Sequence, residues 1–352
     1  MGDFRSFAQE RLRLRISNGG DGNMNDTDAA FNEVSRIIEE SRDNAYRKVN
    51  EELILMYRRI GGFLSEKSKD ARYGDGYIDN LADYIRKRFP GIKGFNRRGL
   101  YRMKQFYEMY AGNEKVSALL TQLSWTNHLL IMSGCKSVDE REFYMRLAIK
   151  ERYTARQLER QLDSGYYERY MLSKKNLQPE VFGADQNPFL DSYVIEFLDL
   201  PDVFKENDFR RALIRGMKDF ILELGKDFTY IGEEYPIQVG GEDYHIDILF
   251  YNRVLRCLVA VELKIGRFKP EYVSKMDFYL EGLDRQVRRT DENPSVGLIL
   301  CSSKNDEVAE YAMSRTLSPM MVAQYQLQLP DKKLLQKKLQ ELVNAKDPEL
   351  NQ

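Results

Sequence analysis

The chain of 352 residues has little of what several common chemistries require. It holds only two histidines, His128 and His245, so a Ser-His-Asp arrangement or a histidine-based metal cluster has almost no raw material. Its three cysteines, Cys135, Cys257 and Cys301, form no CxxC pair, and an odd count suits neither a disulfide framework nor a zinc ribbon. No stretch approaches the roughly 18 uninterrupted apolar residues of a membrane span. The opening MGDFRSFAQERLRLR lacks the apolar core of a secretory signal, so a cytoplasmic protein without membrane association is expected. Charge is nearly balanced, with 54 Lys and Arg against 55 Asp and Glu, so any nucleic-acid binding must come from a local patch. Any metal chemistry must use carboxylates, which points to Mg²⁺ or Mn²⁺.

What is present suggests two domains, since single domains usually run to about 100–200 residues. Residues 1–28 end in ISNGGDGNMNDTD, rich in glycine, asparagine and aspartate, and read as a flexible arm. Residues 29–172 have helical texture, opening with Phe31, Val34, Ile37 and Ile38, with breaks expected at Gly61-Gly62, at 73–76, at Pro90-Gly91 and at 111–113. Residues 173–190 collect two prolines, Gly183 and polar turn formers, and read as a linker.

From 191 to 330 the order is α-β-β-β-α-β-α-β, a mixed α/β fold. The run ENDFRRALIRGMKDFILELG is helical, and TYIGEEYPIQV, YHIDILFY, RCLVAVELKI, SVGLILCS and MMVAQYQL read as strands. Gly240-Gly241 marks a hairpin turn, and Asn252-Arg253 begins another. Residues 331–352 read as an amphipathic helix and tail.

Asp247 in YHIDILFY, and Glu262 and Lys264 in VAVELKI, stand out. Residues two apart on a strand share a face, so Glu262 and Lys264 lie side by side where charges are seldom buried without partners or a metal. If the strand of Asp247 neighbours that of Glu262, the two carboxylates can converge on one divalent cation, with the Leu263 carbonyl as a further ligand and Lys264 beside the metal-bound water. Phosphodiester hydrolysis needs this set. Taken alone, so short a pattern reads more readily as a salt bridge between strands.

The wider sequence changes that weighting. Over roughly residues 30–330, runs such as FPGIKGFNRRGLYRMKQFYEMY, LSWTNHLL, EREFYMRLAI and IDILFYNRVLRCLVAVELKIGRFKPEYVSKMDFYL resemble the PDDEXK nucleases of the YhcG type. The resemblance implies a helical N-terminal region joined to a restriction-endonuclease-like core, a mixed central sheet flanked by helices, with Asp247, Glu262 and Lys264 as its acid, acid and lysine. It also makes Glu223 a candidate fourth metal ligand, since related nucleases often draw an acid from the helix before the strands. The chain departs from the family at Asn252, Glu233-Glu234, Gly99 and Arg58.

A second signal is electrostatic. Between Ile85 and Tyr107 stand Arg86, Lys87, Arg88, Lys93, Arg97, Arg98, Arg102 and Lys104, with no acid among them and five aromatics interleaved. Such local positive charge suits phosphate binding. Trp125 and His128 read as packed core, Arg141, Arg146, Arg152, Arg156 and Arg160 as a salt-bridged surface, and Gln286 as solvated. The leading expectation is therefore a metal-dependent endonuclease acting on DNA, on branched, foreign or modified molecules as the resemblance suggests. A homodimer is expected because one such site cuts one strand. The alternative is a DNA-binding regulatory or scaffold protein that keeps an inactive nuclease fold; a weaker third is an assembly module.

Overall fold

The computed structural model describes residues 26–69, 76–173, 188–201, 203–316 and 318–346. The expected arm lies outside these residues except for 26–28, as do most of the expected linker and of the break at 73–76. The chain divides into two compact units, 1–124 and 125–352. Helices between 125 and 173 thus group with the sheet in the second unit.

The first unit contains α1 (Asp26–Lys67), α2 (Tyr77–Arg88), α3 (Arg97–Tyr110) and α4 (Glu114–Leu120). The expected breaks at Pro90-Gly91 and 111–113 separate helices, but Gly61-Gly62 does not interrupt α1. Gly61 serves a close crossing instead: a Cβ there would lie 2.0 Å from the Met103 carbonyl oxygen on α3. Ile54, Tyr57, Leu64, Leu100, Met103 and Phe106 fill the contact. Asn96 caps α3, its side chain accepting from the Gly99 amide at 2.9 Å.

The second unit opens with α5 (Trp125–Gly134), α6 (Val138–Lys150), α7 (Ala155–Asp163) and α8 (Tyr166–Ser173). After β1 (Ser192–Val194), the expected single helix before the strands is two, α9 (Glu206–Arg215) and α10 (Met217–Leu224). The chain turns at Gly216, where a Cβ would meet Leu198 at 2.9 Å. Then follow β2 (Phe228–Val239), β3 (Glu242–Asn252), β4 (Cys257–Leu263), α11 (Glu271–Gln286), β5 (Val296–Cys301), α12 (Asp306–Met313), β6 (Met320–Gln326) and α13 (Lys332–Lys346).

The six strands among the described residues form one sheet ordered β1-β6-β5-β4-β3-β2. The meander β2-β3-β4 is antiparallel, whereas β4, β5, β6 and β1 run parallel, which requires the crossovers that α11 and α12 supply. Val239 pairs with Glu242 across the two-residue turn, and Gly240 and Gly241 both take positive φ, as such a hairpin demands. At the next turn the Asn252 side chain accepts from the amides of Val254 and Leu255, at 3.0 and 2.9 Å. Every residue of β4 is buried, as a central strand covered on both faces should be. One face, with Val259 and Val261, packs under α9 and α10; the other, with Leu258 and Ala260, packs under α11. On the first face Phe250 is fully buried among Phe220, Phe228 and Tyr230, and its truncation to alanine would cost about 3–5 kcal/mol. No helix among the described residues is long and apolar enough to cross a membrane.

Candidate active site

Strand register brings the two acids together. Ile248 pairs with Val261, so one step further along the antiparallel ladder Asp247 stands opposite Glu262. Glu262 falls on the side under α11 by alternation with Leu258 and Ala260, and Asp247 lies beside it at the end of the ladder, where Arg210 of α9 also reaches it. Asp247 is anchored there, its Oδ2 accepting from the Leu263 amide at 2.8 Å. Lys264 follows the end of β4, its amide donating to the Leu300 carbonyl at 2.8 Å. The Leu263 backbone oxygen therefore belongs to the same short stretch as both charged side chains.

Burial makes this cluster costly. Glu262 is 1% exposed, and its Oε1 receives the Lys264 ammonium at 2.9 Å and that of Lys275 from α11. Its other oxygen, Oε2, is buried without a hydrogen-bond partner. Burial, and then the charge of Glu262, push the Asp247 carboxyl up to about 6, against the lowering effect of the Leu263 amide, Lys264 and Lys275. Burial works to lower the Lys264 ammonium, but the field and hydrogen bond of Glu262 outweigh it and the net direction is upward. Lys264 and Lys275 also lie over aromatic rings, 5.4 Å from the Tyr272 centroid and 5.2 Å from that of Tyr279.

Helix α9 supplies a rim. Glu206 and Arg210, four apart and so on one face, reach opposite ends of the cluster. Glu206 Oε2 stands 3.5 Å from Lys264 Nζ. Arg210 stands 2.8 Å from Glu234 Oε1 and 3.7 Å from Asp247 Oδ1. Glu234 holds a left-handed backbone, φ 43°, on the bulged edge strand β2, which aims its carboxylate at Arg210. Lys275, Glu206 and Arg210 were not singled out in the sequence; the i, i+4 spacing of the latter pair was the available signal.

Glu223 stands apart. It lies on α10, on the opposite side of the sheet, fully buried, with Oε1 taken by Arg169 at 2.6 Å and the Val194 amide at 2.9 Å and Oε2 by Arg160 at 2.9 Å. Burial works to raise its carboxyl, but Arg169 and Arg160 prevail and hold it below its ordinary value. The expectation of a fourth metal ligand is corrected: both oxygens are spent tying α7, α8 and β1 to α10. Arg160, expected on a salt-bridged surface, is likewise drawn inward, to Glu196 at 2.9 Å and to Glu223. His128 is fully buried on α5, as core packing implies.

In the first unit the basic segment spans the end of α2, the following loop and the start of α3. Arg86, Lys87, Arg88, Lys93, Arg97 and Arg98 are exposed, and Arg102 and Lys104 half-buried. The interleaved aromatics divide: Phe106 is core, while Phe89 and Tyr101 face solvent beside Arg88 and Arg97. Some compensation comes from outside the segment, with Asp83 3.2 Å from Arg86 and Asp79 3.3 Å from Arg97.

Comparison with known proteins agrees with the geometry. Residues 186–340 match the family described as the YhcG PDDEXK nuclease domain, and residues 33–169 match that described as the DUF1016 N-terminal domain. The curated Escherichia coli (strain K12) protein "Putative nuclease YhcG" is 30% identical over 342 residues, covering 86% of this chain and 90% of that one. A solved repair endonuclease from Pyrococcus abyssi matches 37% of this chain and 50% of its own at 19% identity, with a TM-score of 0.25, so the assignment rests on the sequence matches. Acid facing acid on adjacent strands, with a lysine two residues on, is thus found in a chain that belongs to the YhcG-type PDDEXK nuclease family.

Proposed function

We propose that the chain is a divalent-metal-dependent endonuclease that hydrolyses DNA phosphodiester bonds. The observation that carries this reading is the buried Glu262 Oε2 without a hydrogen-bond partner, beside an Asp247 carboxyl whose ionisation is opposed by burial and then by Glu262. Such a pair is poorly compensated by lysines alone, and a cation relieves both strains. Asp247, Glu262 and the Leu263 carbonyl would hold Mg²⁺ or Mn²⁺ as hard oxygen ligands. When bound, the ion supplies acidification of water and neutralisation of charge at the phosphate.

The chain's own residues do the rest. Lys264, kept protonated by Glu262, serves as a donor that orients the attacking water and not as a base. Lys275 holds Glu262 in place from α11. Arg210, between a half-exposed rim carboxylate and Asp247, is placed to exchange Glu234 for a phosphate oxygen. The segment from Arg86 to Lys104, with Arg86, Lys87, Arg88, Lys93, Arg97, Arg98 and Arg102, binds the backbone without reading bases.

Cutting both strands takes two such sites, so the working form is a homodimer. A cytoplasmic setting suits three cysteines that are all free and buried. Purified protein incubated with linear, branched and modified DNA, with Mg²⁺, with Mn²⁺ and with chelator, tests the reading. Metal-dependent cleavage of at least one substrate is expected; binding without cleavage under every condition would favour a regulatory or scaffold role instead.

A further inference from the structure

Helix α1 carries an apolar stripe that the other described residues of its unit leave uncovered. Phe31, Val34, Ile38, Val49, Met56 and Phe63 are all exposed, from 36% at Met56 to 68% at Val49. At roughly 100° per residue these six, with Ala45, fall within an arc of about 60°, over an axial length of about 48 Å. Away from the stripe the helix packs or is solvated, with Ile37 and Tyr46 also exposed outside it. Ile54, Tyr57 and Leu64 pack in the unit's core, and Arg36 pairs with Glu33 and Glu40 in solvent. Every described side chain from Phe31 to Val49 is exposed, whereas most helical stability in proteins comes from the packing of an apolar face.

The stripe has a symmetry that names its occupant. Phe31 and Phe63, Ile38 and Met56, and Ala45 and Val49 are each equidistant from Arg47. Antiparallel pairing of two copies about that point sets apolar side chains against apolar ones along the whole length. Charge follows the same plan: residues 31–46 hold four acids and two bases, residues 48–63 two acids and three bases, so each half meets its electrostatic complement. Glu52, the one carboxylate that interrupts the stripe, comes to the level of Arg42 of the other copy.

We propose that α1 is the homodimer interface, an antiparallel two-helix pairing of two copies of this chain centred on Arg47. Such a contact is isologous and closes at two copies. It gives a surface to the dimer proposed above, and because its test uses neither DNA nor metal, its failure is distinct from that of the nuclease reading.

Sedimentation of the full chain across the micromolar range reads the pairing directly. Wild type is expected at twice the chain mass, and the Ile38→Glu, Val49→Glu double variant at once the chain mass with an unchanged sheet-domain melting transition. Disulfide trapping reads the orientation, and the buried native cysteines stay out of it. A mixture of Phe31→Cys and Phe63→Cys chains is expected to crosslink, and Phe31→Cys alone is not. A monomeric wild type, including one that instead binds lipid vesicles, would overturn the proposal. So would a dimer indifferent to both glutamates, or efficient crosslinking of Phe31→Cys with itself.

Discussion

Asp247→Asn should make the metal-free protein more stable while destroying its chemistry. The folded carboxyl sits at about 6 against an ordinary 3.8, with burial as the main cause and Glu262 the second. A raised acid means that the folded state binds the proton more tightly than the unfolded one, so stability is fullest below about pH 4 and falls as pH rises toward 6. The shift corresponds to at most about 3 kcal/mol of ionisation cost at neutral pH, since each unit is worth about 1.4 kcal/mol. Asparagine removes that cost yet keeps an oxygen for the Leu263 amide. In chelator at pH 7.5 its melting temperature should exceed that of wild type by on the order of 5–10 °C, at about 2–4 °C per kcal/mol for a unit of this size. The two proteins should converge near pH 4, and Mg²⁺ should stabilise only the wild type. A variant less stable than wild type at pH 7.5 would instead make Asp247 a strut held by Arg210 and the Leu263 amide.

Three further outcomes follow from the same geometry. Lys264→Ala should retain metal affinity better than either acid variant but lose about 10²–10³ in cleavage rate, measured in single turnover with saturating metal. Glu223→Gln should lower stability by about 3–5 kcal/mol in denaturant titration, since it leaves Arg160 and Arg169 underpaired in a buried site, with calorimetric Mg²⁺ affinity of the folded protein unchanged. Replacing Arg97, Arg98 and Arg102 together by alanine should weaken DNA binding alike for all sequences and flatten the slope of log K against log salt by up to about 2.7 units; an unchanged slope would remove α3 from the binding surface.

Much of the sheet domain was legible because its signals are local. Alternation in YHIDILFY, the apolar run CLVAV ahead of Glu262 and two glycines between strands determine pairing without reference to distant residues, and these bring Asp247 beside Glu262. The helices were harder, because their rotation and docking depend on what they meet. Glu223 and Glu206 belong to one helical run in the sequence, but the turn at Gly216 sends Glu223 to the arginines of α7 and α8 and leaves Glu206 beside Lys264. Gly61 has the composition of a break, yet it is a contact point that only the neighbouring α3 reveals. Lys275 lies one residue from Met276 in the covered face of α11, and nothing local marks it as the partner of Glu262.

The metal site proposed at Asp247 and Glu262 stands or falls on phosphodiester cleavage. Cleavage by wild type, Asp247→Ala and Glu262→Ala, each assayed with Mg²⁺ and with chelator alongside DNA binding, tests it most directly. Cleavage by wild type in Mg²⁺ alone is expected, and none by either variant, with DNA binding intact in all three; cleavage that survives Glu262→Ala, or wild-type cleavage in chelator, would rule the metal site out.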